Sequence, residues 1–128
     1  MPHEFDAGRP IYSQLCELMT QAIVSGEAAP GQRLPGVREL ALQYGVNPNT
    51  AQRTMAELER QGLVYSERTA GRFVTTDEAL IAKIRKAAAL EQAATFLRQM
   101  KKLGISRDEA MKLLAEAAAG EVKGENNE

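Results

Sequence analysis

The chain has no Trp and only three Phe and three Tyr, so its core has to be built from aliphatic side chains, Met and Ala. One cysteine, Cys16, closes no intrachain disulfide. With a single histidine, His3, beside the chain start, no Cys/His set has the spacing of a zinc site, and neither a metal nor a cofactor is expected. Sixteen Lys plus Arg against seventeen Asp plus Glu leave a formal charge of −1, which excludes a global basic field. Any attraction to nucleic acid must come from local segregation of charge. No run of about eighteen apolar residues occurs, and Met1 to Pro10 carries Glu4 and Asp6 where a signal peptide needs a basic and then an apolar segment. The expectation is a protein of the reducing cytoplasm, neither exported nor bound to a membrane.

What is present is an ordinary composition, 44% hydrophobic and 26% charged over 128 residues, enough for one small domain with an appendage. Breakers punctuate it. Pro10 suits a first helical turn, and Ile11, Leu15, Leu18 and Ala22 make an apolar stripe ending near Ser25-Gly26. Two Gly and two Pro between Gly26 and Pro35 then force a structured loop. A short helix over Gly36 to Tyr44 stops at Gly45, and Asn47-Pro48 restarts the chain as N-cap and N1 of a third helix reaching Gln61. Ala51, Met55 and Leu58 face inward, leaving Asn49, Arg53, Ala56 and Arg60 opposite and Gln52 beside them. Leu63–Arg68 and Arg72–Thr75 read as a hairpin around Thr69-Ala70-Gly71, with Arg68 and Arg72 at its tip. Asp77 to Leu103, free of Gly and Pro, is one helix of about 40 Å. Ser106 and Glu109 then form a capping box for a last helix that ends at Gly120, followed by a flexible tail.

Two short helices joined by a tight turn, with Ala41 at the crossing, Gly45 in the turn and Val46 behind it, meet the demands of a helix-turn-helix. Leu40, Tyr44 and Ala51 complete the apolar set, with Thr54 standing where another apolar residue is expected. The hairpin makes it winged. Asn49 and Gln52 are amides able to pair with adenine, Arg53 can reach guanine or phosphate, and Arg38 can brace the DNA backbone. Residues 1–76 hold seven Arg, no Lys and eight acids, so Glu57, Glu59 and Glu67 must point away from DNA or tune specificity.

The residues Arg33-Leu-Pro-Gly-Val-Arg-Glu-Leu-Ala41, Tyr44-Gly-Val-Asn-Pro-Asn-Thr50, Glu57-Leu-Glu-Arg-Gln-Gly-Leu-Val64 and Gly71-Arg-Phe-Val74 resemble the GntR family of winged helix-turn-helix regulators. The Asn-Pro-Asn-Thr start of the third helix, the Pro10-Ile-Tyr12 opening and the short helical end are similar to its YtrA-like subfamily. The resemblance implies a DNA-binding role for Arg38, for Asn47, Asn49, Thr50 and Gln52, and for the wing tip, here Arg68, Thr69, Gly71 and Arg72. Three positions depart from the family pattern. Gly36 replaces a Ser and weakens a helix cap, Ala51-Gln52 replaces Val-Arg so that Arg53 is the substitute cation, and Thr69 replaces a wing Gly.

Bland alternatives weigh against several of these features. Arginines mostly sit on solvated surface, Asn47 is first of all a cap, and Cys16 reads as a small packed residue. Gly31–Gly36 has the glycine spacing of a phosphate loop without the Lys and Ser/Thr that must follow. Glu57 and Glu59 splay to different helix faces, so no catalytic constellation is found and an enzyme is not expected. The C-terminal stripe of Leu80, Ile84, Ala87, Ala88, Ala94, Leu97 and Met100 is too long to leave uncovered, which argues for a homodimer on an inverted repeat. The expected architecture is mainly α with a hairpin wing. It comprises an N-terminal arm (1–9), a DNA-binding domain (10–76), a helical dimerisation appendage (77–119) and the tail (120–128). A repressor of transcription is the expected role, with double-stranded DNA as partner. Any small-molecule effector is expected in a small pocket between the winged domain and the appendage, or at the dimer interface, and no residue points to its identity. A winged module that docks proteins instead of DNA is the alternative, separable by its salt response.

Overall fold

A computed structural model describes residues 4–126, ordered as α1 (Ile11–Val24), α2 (Val37–Tyr44), α3 (Pro48–Arg60), β1 (Val64–Glu67), β2 (Gly71–Val74), α4 (Glu78–Lys102) and α5 (Arg107–Asn126). The mainly helical class with one hairpin matches the sequence reading. His3 lies outside the described residues.

Helix α1 buries Leu15, Met19, Ile23 and Val24 on one stripe. Gln14 is buried with them because its amide ties down the preceding arm. It accepts from the Asp6 N–H at 2.8 Å and donates to the Asp6 and Arg9 carbonyls at 2.7 and 3.0 Å. Phe5 packs on the core, so the described part of the arm is held and not loose. Gly45 adopts φ 69°, a left-handed conformation that lets the Val46 N–H reach the Ala41 carbonyl and turns the chain from α2 into α3. The Asn47 side chain accepts from the Asn49 N–H at 2.8 Å, closing the cap expected of it. Gly36 provides no side-chain cap for α2.

Ala51, Thr54, Met55 and Leu58 are fully buried where α3 packs between α1 and α2. Thr54 takes the place expected for an apolar residue at no polar penalty, since its hydroxyl donates to the Thr50 carbonyl at 2.9 Å within the same helix. Leu63, Val64 and Val74 close the core from the hairpin side. The strands pair antiparallel, Val64↔Val74 through Glu67↔Gly71, and the Ala70 N–H to the Glu67 carbonyl closes the three-residue loop.

The breaker-rich loop does more than connect. Its residues Gly31 to Leu34 exchange three backbone hydrogen bonds of 2.8–2.9 Å with Arg72 and Val74, and Arg33 bridges Phe73, so the loop lies along the outer edge of β2.

The chain forms two compact units, one up to Lys86 and one from Ala87. This differs from a division at Thr76, and the reason is local. Ile81 is buried in the winged core, Ile84 packs against it, and Arg85 donates to the Val24 carbonyl at 3.3 Å. Leu80 covers Gly62, where an added Cβ would stand 3.1 Å from its Cδ2. In the second unit Gly104, at φ 79°, ends α4, the Ser106 hydroxyl accepts from the Glu109 N–H at 3.2 Å, and Ala110 is buried. Helix α5 runs on to Asn126, past the end expected at Gly120. A helical Gly costs only about 1 kcal/mol, and it is followed by residues compatible with helix. Among the described residues no helix is long and apolar enough to cross a membrane.

Candidate nucleic-acid interface

Asn49, Gln52 and Arg53 are exposed along α3, and Thr50 is half-buried with its carbonyl holding Thr54. Arg38 is exposed on α2 and has no ion pair among the described residues. It lines an open cleft of about 800 Å³ with Ala41, Leu42, Gly45, Val46 and Pro48. The turn geometry therefore sets a free guanidinium beside the first residues of α3, where unpaired N–H groups and the helix dipole favour a phosphate. Asn47 keeps its amide N–H₂ while its oxygen serves the cap.

Arg53 turns elsewhere. Its guanidinium lies 3.9 Å from the centre of the Tyr12 ring on α1, a cation–π contact. The neighbouring acid does not capture it, because Arg60 grips Glu57 with two hydrogen bonds, Nε to Oε2 at 2.7 Å among them. Those bonds, with Gln61, lower the Glu57 carboxyl to about 2. Arg53 thus makes no ion pair among the described residues, but it reaches toward α1 and not straight out from α3. Burial pushes the Cys16 thiol up and outweighs the opposite effect of the Tyr12 and Thr54 hydroxyls beside it, so the thiolate is disfavoured.

The wing separates its two expected cations. Arg68 and Thr69 are exposed in the loop, and Gly71 has φ 108°. Arg72 is not at the tip. It opposes Ser66 on the sheet face turned to α3, and there its Nε donates to Glu59 Oε1 at 2.6 Å. Ser66 donates to the same oxygen at 2.6 Å, and together they hold the Glu59 carboxyl below its ordinary range. Strand alternation is the cause, since a shift of one residue would put Arg72 on the other face beside the stacked Tyr65 and Phe73. Glu57 and Glu59 are accordingly engaged with arginines of their own domain. Two residues that the sequence left without a role make contacts here, Tyr12 beneath Arg53 and Arg33 against Gly71 and Phe73. Arg33 sits in a Pro/Gly loop whose sequence carries no periodicity, so no local signal announces that it joins the sheet.

Residues 11–74 match the bacterial regulatory proteins of the gntR family. The chain belongs to the GntR family. It is 37% identical over 111 residues to the uncharacterized HTH-type transcriptional regulator YhcF of Bacillus subtilis (strain 168), covering 87% of this chain and 92% of that protein. A GntR family transcriptional regulator from Listeria monocytogenes superposes with a TM-score of 0.82 at 35% identity, over 88% of this chain and 98% of that one. The DNA-binding domain of AraR in complex with operator ORR3 is 35% identical with a TM-score of 0.50, covering 59% of this chain and 88% of that one. The protein is a GntR-type transcriptional regulator with a winged helix-turn-helix.

In this GntR chain the residues expected at a dimer seam divide. Leu80 and Ile84 are taken up by the winged unit, as described above. Ala87 and Ala88 are exposed, while Ala94, Leu97 and Met100 are half-buried in the second unit. Beside them Leu90, Leu103 and Met111 are more than half exposed, at 61%, 70% and 59%, and Leu113 and Leu114 are exposed as well. So much apolar surface on a two-helix unit calls for a cover.

Proposed function

We propose that this GntR-family regulator is a YtrA-like repressor of the cytoplasm and nucleoid that binds an inverted-repeat operator as a homodimer. The observation that carries the reading is the placement of Arg38, unpaired and exposed, beside the N-terminus of α3 and the exposed amides of Asn49 and Gln52. Backbone contacts from Arg38 and Asn47 would set the register, and Asn49, Thr50 and Gln52 would read base edges or position the helix. Arg68 and Thr69 would extend the contact from the wing. The overall charge of −1 does not oppose this, because Glu57 and Glu59 are already paired within the fold. The uncovered apolar surface of the second unit supports a dimer, and occupancy of a promoter by that dimer would repress transcription. An effector, where one acts, would shift the operator affinity of that dimer.

The test is selection of duplexes from fragmented genomic DNA of the source organism, followed by anisotropy titration of the best fragment against scrambled DNA at two salt concentrations. The reading expects an inverted repeat that outcompetes scrambled duplex at moderate salt. Arg38→Ala with Gln52→Ala should abolish this discrimination while sedimentation still shows the dimer. Unchanged affinity in the double variant would place the DNA surface elsewhere. Failure of the wild-type protein to select any duplex would favour a protein-docking winged module.

A further inference from the structure

We infer that Arg33, on the loop before α2, is the DNA-backbone contact of the wing, with its guanidinium seated on Gly71 and aimed at a phosphate beside the half-site. The inference rests on the DNA-binding reading above and assigns to it a residue outside both the recognition helix and the hairpin.

Four features lead to it. The base of Arg33 is fixed, since its neighbours Gln32 and Leu34 hydrogen-bond across to Val74 and Arg72 and Arg33 itself bridges Phe73. Its head lies against the wing as well. A Cβ built on Gly71 would stand 3.3 Å from the Arg33 Nε, 3.5 Å from one terminal nitrogen and 3.8 Å from Cζ, so the guanidinium rests against bare backbone. Gly71 begins β2 directly after the loop of Arg68, Thr69 and Ala70, which brings the charge of Arg33 to the tip although its Cα lies back along the strand. Finally, no ion pair neutralises it among the described residues, whereas Arg72 is held by Glu59.

These features sort the three arginines of the wing. Arg72 braces the hairpin on α3. Arg68 is uncommitted on an open loop and must lose rotamer freedom when it binds. Arg33 is uncommitted, and its backbone is already anchored on the sheet edge, so less of its binding energy is lost to ordering. A planar guanidinium with two adjacent N–H donors suits a phosphate oxygen pair. The requirement for glycine at position 71 then has two sources, the φ of 108° and the room needed by the Arg33 head.

The experiment is anisotropy titration of the selected duplex and of scrambled duplex across a salt series, with wild type, Arg33→Ala, Arg33→Gln, Arg33→Lys and Lys112→Ala. Arg33→Gln keeps the side-chain stem should truncation disturb the sheet edge, and thermal melting checks each fold. Loss of one phosphate contact should weaken binding to both duplexes several-fold and make the slope of log K against log salt shallower by about 0.9. Arg33→Lys should keep most of that slope. Lys112→Ala, equally one charge lighter but in α5, should keep all of it. A wild-type protein that discriminates its operator while both neutral variants retain its slope would overturn the inference and leave the functional reading standing. A loss confined to one sequence, with the slope unchanged, would overturn it in favour of base readout. A wild type that binds neither duplex would overturn both.

Discussion

Glu57 shows how one residue keeps an acidic chain compatible with DNA. Arg60 and Gln61 lower its carboxyl to about 2, from an ordinary Glu value of about 4.3 in an unfolded chain. A depressed folded pKa means that its contribution to stability is complete above the unfolded value and is lost as pH falls toward 2. Glu57→Gln should therefore flatten the fall in urea midpoint between about pH 5 and about pH 3 relative to wild type. An equally steep fall in the variant would show that Arg60 does not hold this carboxylate in solution. Arg53 gains from the arrangement, because an acid already bound to Arg60 leaves it stacked on Tyr12 with its charge intact.

At the scale of elements, α3 depends on its first turn. Its Asn47 cap both ends the tight turn from Gly45 and orients the N–H groups that the DNA reading requires. Asn47→Ala should lower stability by about 1 kcal/mol in denaturant unfolding and weaken operator binding as well. A variant with unchanged stability would mean that Pro48 alone starts the helix. How much of these elements could be read in advance depended on the range of the signal. The helix boundaries and the hairpin are written in breakers, caps and apolar spacing, all local. Arg72 stands away from the tip where the sequence puts it, and the stacking of the exposed Arg53 has no sequence signal, because their partners, Glu59 and Tyr12, come from other elements. Periodicity gives the face on which a side chain starts but not the neighbour toward which a long one bends.

For the whole molecule, the apolar residues of α4 divide between the winged core and a face that the proposed dimer would cover. On the proposed dimer, Leu97→Glu, in the second unit, should bring the sedimenting mass from twice 14.0 kDa down to 14.0 kDa and weaken operator binding through lost avidity. Leu80→Ala should instead leave the dimer mass unchanged and destabilise the winged unit by roughly 1–2 kcal/mol, because Leu80 packs on Gly62. If Leu80→Ala dissociates the dimer without changing the melt, the first turns of α4 belong to the seam after all.

By itself the sequence determined the mainly helical class, the helix-turn-helix with its hairpin, and the family, since each is carried by residues a few positions apart acting through φ preference, capping and apolar period. Only the tertiary structure decided which cations are available. It paired Arg72 with Glu59, stacked Arg53 on Tyr12, and brought Arg33 from a loop of prolines and glycines to the edge of the wing. The physical reason is that an arginine carries its charge several ångströms from its Cα, so whether that charge is neutralised, stacked or free depends on which distant backbone the fold brings beside it.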